Sequence, residues 1–156
     1  MDFSLPDRDS FGKIWARVTG AEMSPAPEGS LARLAGTVFR DEKLYMRAAL
    51  SYRRHSRLFR RIAELKRRQL AQLQLMHFLS SGDTAGVSCA GHGPPAAPSA
   101  MFLRERHSAE TALAERFELA AAGAVSRKEK ELFSSLARQT RGFAAMLSRE
   151  IALFMR

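Results

Sequence analysis

Hydrophobic side chains recur along this chain in alternating steps of three and four, the spacing that lines one face of an α-helix. Four long segments carry the pattern. Over residues 30–52 the stripe reads Leu31, Leu34, Ala35, Val38, Glu42, Tyr45, Ala49 and Tyr52. Over 57–80 it reads Leu58/Phe59, Ile62, Lys66, Gln69, Leu73 and Met76. A third helix is predicted over 100–124, with Leu103, Arg106/His107, Glu110, Leu113/Ala114, Phe117, Ala120/Ala121 and Ala124 on its seam. The fourth covers 127–155, with Leu132/Phe133, Leu136, Thr140, Phe143, Leu147, Ile151 and Phe154. Upstream, Asp9 or Ser10 can cap a short amphipathic helix built on Phe11, Ile14, Trp15 and Val18 and stopped at Gly20, and Pro25 and Pro27 mark a linker over 21–29. The chain is thus read as an N-terminal helix and linker (1–29) followed by one helical domain (30–156).

The second segment has a faint copy near the C-terminus. Aligned at an offset of 74, the sixteen residues Leu58–Leu73 and Leu132–Leu147 share six identities, with Ile62 opposite Leu136. Two related halves, each too small to bury a good core alone, are expected to be helical hairpins that pack together as a four-helix bundle. Residues 81–99 are rich in Gly, Pro and Ser and read as a loop. Extended, that loop reaches on the order of 60 Å, whereas a 24-residue helix is about 36 Å long. It can cross the whole bundle, which sets the second and third helices parallel. The expected class is all-α, with the one-crossover topology of ferritin-like folds.

Each stripe is interrupted by a polar residue. Residues equidistant from a hairpin turn stand at the same height. The midpoint of Glu42 and Lys66 is residue 54 and that of Glu110 and Thr140 is residue 125, each inside a predicted turn. Glu42, Lys66, Gln69, Glu110 and Thr140 are therefore expected in one polar layer of the core. An unpaired carboxylate there would be costly, so Lys66 is expected to pair with Glu42 and with Glu110; the alternative is that its long stem carries the ammonium out to solvent.

The paired halves, the long crossover and the phrase Leu58-Phe59-x-x-Ile62-Ala63 resemble the rubrerythrin branch of the ferritin-like superfamily over about residues 30–155. Gln69–Gly82, an apolar helix end running into a glycine-terminated loop, is similar to the same helix in bacterial members. The resemblance implies a di-iron site with a Glu-x-x-His turn on the second and fourth helices. At those positions this chain has Lys66-Arg67-Arg68-Gln69 and Thr140-Arg141-Gly142-Phe143, none of them a good ligand. Of the single-glutamate positions, Glu110 fits, standing 30 residues before Thr140. Glu42 fits by height but stands 24 before Lys66, and Val38 or Gly36 is the alternative register. Hard and borderline cations need several anionic oxygens plus imidazole. The metal candidates are Glu42, Glu110 and His107, the last three residues before Glu110 on one helix face, for iron or another divalent metal; the expected cofactor is none. Cys89 and His92 stand without a second cysteine pair, which disfavours zinc.

Composition narrows the rest. The chain has 25 Lys and Arg against 16 Asp and Glu, a net charge of +9. The excess concentrates in Arg53, Arg54, Arg57, Arg60, Arg61, Arg67 and Arg68, a basic face that is either a solvated helix surface or a contact for nucleic acid or another anionic partner. No run of about 18 apolar residues suits a membrane span, and Met1–Arg8 lacks a basic start and an apolar signal core. A cytoplasmic location is expected. The first functional expectation is a ferritin-like protein that has lost its di-iron site and serves a structural or protein-interaction role, as a homodimer or with another protein. The second is a divergent metal-binding oxidoreductase or iron-handling protein. The third is a basic helical protein that binds nucleic acid or another anionic partner.

Overall fold

The computed structural model describes residues 30–82 and 93–156 of the chain. The N-terminal helix and linker predicted over 1–29, and Cys89 and His92 of the loop, lie outside the described residues. Four helices account for nearly all of the rest: α1 (Leu31–Ser51), α2 (Ser56–Ser81), α3 (Ser99–Ala122) and α4 (Arg127–Phe154), with a single 3₁₀ turn, Arg53–His55, between α1 and α2. Among the described residues there is no strand. Among these residues, too, no helix is long and apolar enough to cross a membrane.

Local chemistry sets the ends. The Ser30 side chain accepts a hydrogen bond from the Arg33 N–H (3.2 Å), and Ser126 does the same for Glu129 (3.1 Å), so each serine satisfies an otherwise orphaned donor of a first turn. Glu129 also places an anion at the positive end of α4. Gly82 closes α2 in the left-handed region (φ 70°), with its N–H bonded to the Phe78 carbonyl, a geometry that any β-carbon would strain.

Contacts between helices give their directions. Phe59 meets Phe102 edge to face at 5.3 Å, and Lys66 meets Glu110, so α2 and α3 ascend together and are parallel. Tyr52 lies 5.2 Å from Phe102 while Tyr45 reaches Glu110, so α1 opposes α3. His55 bonds Glu150 and Gln69 bonds Thr140, so α2 opposes α4. Ser81 and Ser99 consequently lie at opposite ends of the bundle.

All four helices feed two apolar clusters. One joins Leu34, Val38, Leu73, Leu113, Phe117 and Leu136 among others; the second joins Tyr45, Phe59, Ile62, Phe102, Leu103, Phe143 and Leu147. The internal repeat is visible in the burial. The buried residues of α2 are Phe59, Ile62, Ala63, Lys66, Gln69, Leu70 and Leu73; those of α4 are Phe133, Leu136, Ala137, Thr140, Phe143, Ala144 and Leu147, each 74 residues further on. The two halves thus present the same face to a common core.

Candidate functional site

Between the two apolar clusters lies a layer of buried polar side chains. Lys66 of α2 and Glu110 of α3 stand at its centre, with Lys66 Nζ 2.6 Å from Glu110 Oε2 and both side chains fully buried. The other oxygen, Oε1, accepts a hydrogen bond from the Tyr45 hydroxyl at 2.8 Å. Lys66 Nζ also stands 3.7 Å from Asp41 Oδ2, and Asp41 Oδ1 is 3.4 Å from a guanidinium nitrogen of Arg106. Two cations, Lys66 and Arg106, therefore face two anions, Asp41 and Glu110. The aromatic rings of Phe143 and Tyr45 sit against the cations, 5.2 Å from Lys66 Nζ and 5.5 Å from the Arg106 guanidinium carbon.

This balance makes burial tolerable. Burial pushes the Glu110 carboxyl above the usual range, and the neighbouring Lys66 pulls against that rise. Burial is the largest influence on Arg106 and works against its charge, but Asp41, Tyr45, Glu110 and Glu105 together outweigh it and hold the guanidinium pKa above its ordinary value. The Tyr45 phenol is raised well above its ordinary value, by burial first and then by the Glu110 carboxylate. Tyr45 thus stays a donor.

One turn along α2, Gln69 Nε2 donates to Thr140 Oγ1 at 3.2 Å and to Gln139 Oε1 at 3.4 Å, and Thr140 Oγ1 donates to its own helix at the Leu136 carbonyl. The Oε1 of Gln69 is buried with no partner among the described residues. Lys66 faces Phe143 and Gln69 faces Thr140. The two i, i+3 pairs of α2 and α4 are therefore set against each other in antiparallel register.

All five residues expected in the polar layer are buried: Glu42, Lys66, Gln69, Glu110 and Thr140. The expected pairing of Lys66 with Glu42 is corrected. Glu42 Oε1 lies 3.0 Å from Arg67 and Oε2 lies 3.1 Å from Lys43, at the flank between α1 and α2. The residue that faces Lys66 from α1 is Asp41. One residue is about 100° of helix rotation, so Asp41 and Glu42 bracket the inward direction and point to different sides of it. The alternative in which Lys66 reaches solvent is likewise excluded by its full burial. Of the metal candidates, Glu110 is held by Lys66 and Tyr45, Glu42 is turned to the flank, and His107 is only half-buried.

Asp41, Tyr45 and Arg106 also belong to the layer: Tyr45 and Arg106 stand on the predicted stripes without being assigned to it, and the predicted stripe of α1 omits Asp41. Their signal was present: Leu34, Val38, Asp41, Tyr45 and Ala48 follow steps of four and three as regularly as the seam drawn through Glu42. His55 is a further buried polar residue, its Nδ1 2.7 Å from Glu150 Oε1 and its ring 5.4 Å from Phe154. The seven arginines of the basic face are all exposed on the 3₁₀ turn and α2.

The donor set does not fit a di-iron group. Such a centre needs carboxylates and imidazoles converging on open space, whereas here an ammonium sits between the two inward carboxylates. Among the described residues no three of His, Cys, Asp and Glu gather in a group suited to a metal ion. Comparison with family models, with curated proteins and with solved structures returns no match to the chain.

Proposed function

We propose that this chain is a ferritin-like bundle of the rubrerythrin type in which an internal ion pair has taken the place of the di-iron site, and that it serves as a structural or protein-interaction module. The observation that carries the reading is the Lys66–Glu110 contact at 2.6 Å. It places a fixed positive charge beside the glutamate that the resemblance assigns to a metal. The facing of Lys66 with Phe143 and of Gln69 with Thr140 supports the same reading, because these are the four positions of the family's two Glu-x-x-His turns. So does the parallel course of α2 and α3.

A bundle without a reactive centre acts through its surface. Leu50, Met101, Leu153 and Met155 are exposed toward the end of the bundle where α2 begins, and Leu75, Leu79, Leu119 and Val125 toward the other. They support contact with a second copy or another protein.

Metal content tests the reading. The purified protein, expressed with iron, manganese and zinc supplied in turn, is expected to carry no stoichiometric metal by elemental mass spectrometry, and light scattering is expected to show an assembly larger than one chain. Near-stoichiometric metal that disappears in Glu110→Ala would overturn the replacement of the metal site and favour a metal-dependent activity.

A further inference from the structure

While Lys66 faces the core, the opposite side of α2 and the turn before it form a row of arginines. Every exposed residue between Arg53 and Arg68 is charged: Arg53, Arg54, Arg57, Arg60, Arg61, Glu64, Arg67 and Arg68. At 1.5 Å per residue the row is about 22 Å long. Its single acid, Glu64, lies 3.1 Å from Arg68, and Arg67 reaches Glu42. Arg53, Arg57, Arg60 and Arg61 have no carboxylate within ion-pair distance among the described residues. Four guanidinium groups without a carboxylate partner among the described residues thus occupy little more than two turns of one helix face.

We propose that this row binds the phosphate backbone of duplex DNA, without reading its sequence. A guanidinium is planar and matches a phosphate with two parallel N–H donors. A duplex strand offers a phosphate about every 3.4 Å along its axis, so a row of this length meets several at once. The composition of the face selects among anionic partners. A helix that rests on a bilayer buries apolar side chains beside its cations, and a protein interface has an apolar or aromatic centre. Between Arg53 and Arg68 the row itself exposes neither, and the partly exposed Phe154 ring beside it is covered by the Arg54 guanidinium at 4.7 Å. The inference goes beyond the role proposed for the bundle and rests on the outer face of α2 alone, so it stands or falls independently of the core.

The test uses the full chain and a fluorescently labelled 30-base-pair duplex of arbitrary sequence, followed by anisotropy between 50 and 200 mM NaCl. With four to six phosphates neutralised, affinity is expected to fall on the order of 10²–10³ across that range. The quadruple variant Arg53→Gln, Arg57→Gln, Arg60→Gln, Arg61→Gln is expected to reduce the slope of log affinity against log salt by about three to four. The corresponding Arg→Lys variant should keep the slope. A control, Arg127→Gln, Lys130→Gln, Arg138→Gln, removes exposed charge from α4 and should leave the slope within about one unit of the parent. No binding by the parent at 50 mM salt, an unchanged slope in the glutamine variant, or an equal loss in the α4 control would overturn the proposal. So would capture by phosphatidylserine vesicles in place of the duplex.

Discussion

Lys66 Nζ lies 2.6 Å from Glu110 Oε2, and neither side chain has exposed surface. Each ion therefore offsets the cost of burying the other. In Lys66→Met, Glu110 keeps only the Tyr45 hydroxyl as a close partner, and the fold is expected to lose about 3–5 kcal/mol at pH 8. The loss should depend on pH. Burial already raises the Glu110 carboxyl, and removing the lysine raises it further. A raised carboxyl contributes full stability below its unfolded pKa, about 4.3, and loses it as pH climbs through the folded value. Urea denaturation is thus expected to find Lys66→Met recovering stability from pH 8 down to pH 5. A flat difference from the parent over that range would refute the coupling.

Removing both charges separates the cost of an orphaned ion from the worth of the pair. Lys66→Met combined with Glu110→Leu should regain part of what Lys66→Met loses, because a buried ion pair replaced by apolar groups is often neutral in stability, less the cost of leaving the Tyr45 hydroxyl without its acceptor. Asp41 and Arg106 still balance each other at 3.4 Å in that variant. A double-mutant cycle in urea measures the coupling, and strict additivity of the two single losses would contradict direct pairing.

Stripe and hairpin spacing carried the reading a long way. The four helices start and stop within a few residues of the expected positions, because Ser30, Ser126 and Gly82 are strong local signals. The buried positions of Lys66, Gln69, Glu110 and Thr140 followed from their place in otherwise apolar seams. What spacing could not resolve was rotation by one residue. Asp41 and Glu42 are both acidic and both fall within the width of the buried face of α1, and only the packing of α2 and α3 determines which meets Lys66. Nor did periodicity distinguish Tyr45 as a donor from Tyr45 as an apolar ring. That role appears only when α3 brings Glu110 within 2.8 Å of its hydroxyl.

Tyr45 gives the layer an alkaline limit. Its phenol is raised well above the ordinary value by burial and by Glu110, so its contribution is present below the unfolded pKa of about 10 and is lost as pH rises toward and through the folded value. The chain has two tyrosines, and Tyr52→Phe leaves Tyr45 alone. In that background the 295 nm absorbance of tyrosinate should appear together with the loss of helical circular dichroism above about pH 10. Ionisation with the helices intact would contradict the buried hydrogen bond. Tyr45→Phe should cost about 1.5–3 kcal/mol in urea, the range for a hydrogen bond to a charged group.

Gln69 is the member of the layer whose bonding is incomplete. Its Nε2 serves Thr140 and Gln139, but Oε1 is buried without a partner among the described residues. Gln69→Leu removes that orphaned acceptor, while the Thr140 hydroxyl keeps its bond to the Leu136 carbonyl. The substitution is expected to leave stability within about 1 kcal/mol of the parent, on the favourable side. A loss above about 2 kcal/mol in urea would mean that the Gln69–Thr140 bond contributes more than its geometry suggests.

If the bundle descends from a metal-binding one, its packing should still accept the ligands. Lys66 lies against Phe143 and Gln69 against Thr140, so side chains at these four positions converge from α2 and α4, and Glu110 already projects into the same layer. The variant Lys66→Glu, Gln69→His, Thr140→Glu, Phe143→His places a Glu-x-x-His turn on each helix. Without metal its crowded carboxylates repel, and the bundle is expected to be less stable than the parent. Added iron(II), manganese or zinc should bind near-stoichiometrically and raise the melting temperature with concentration, as a ligand of the folded state does. Elemental analysis after desalting and thermal melts with increasing metal supply the readout. A folded, helical variant that takes up no metal at millimolar supply would show that α2 and α4 do not stand in the register that the proposed ancestry requires.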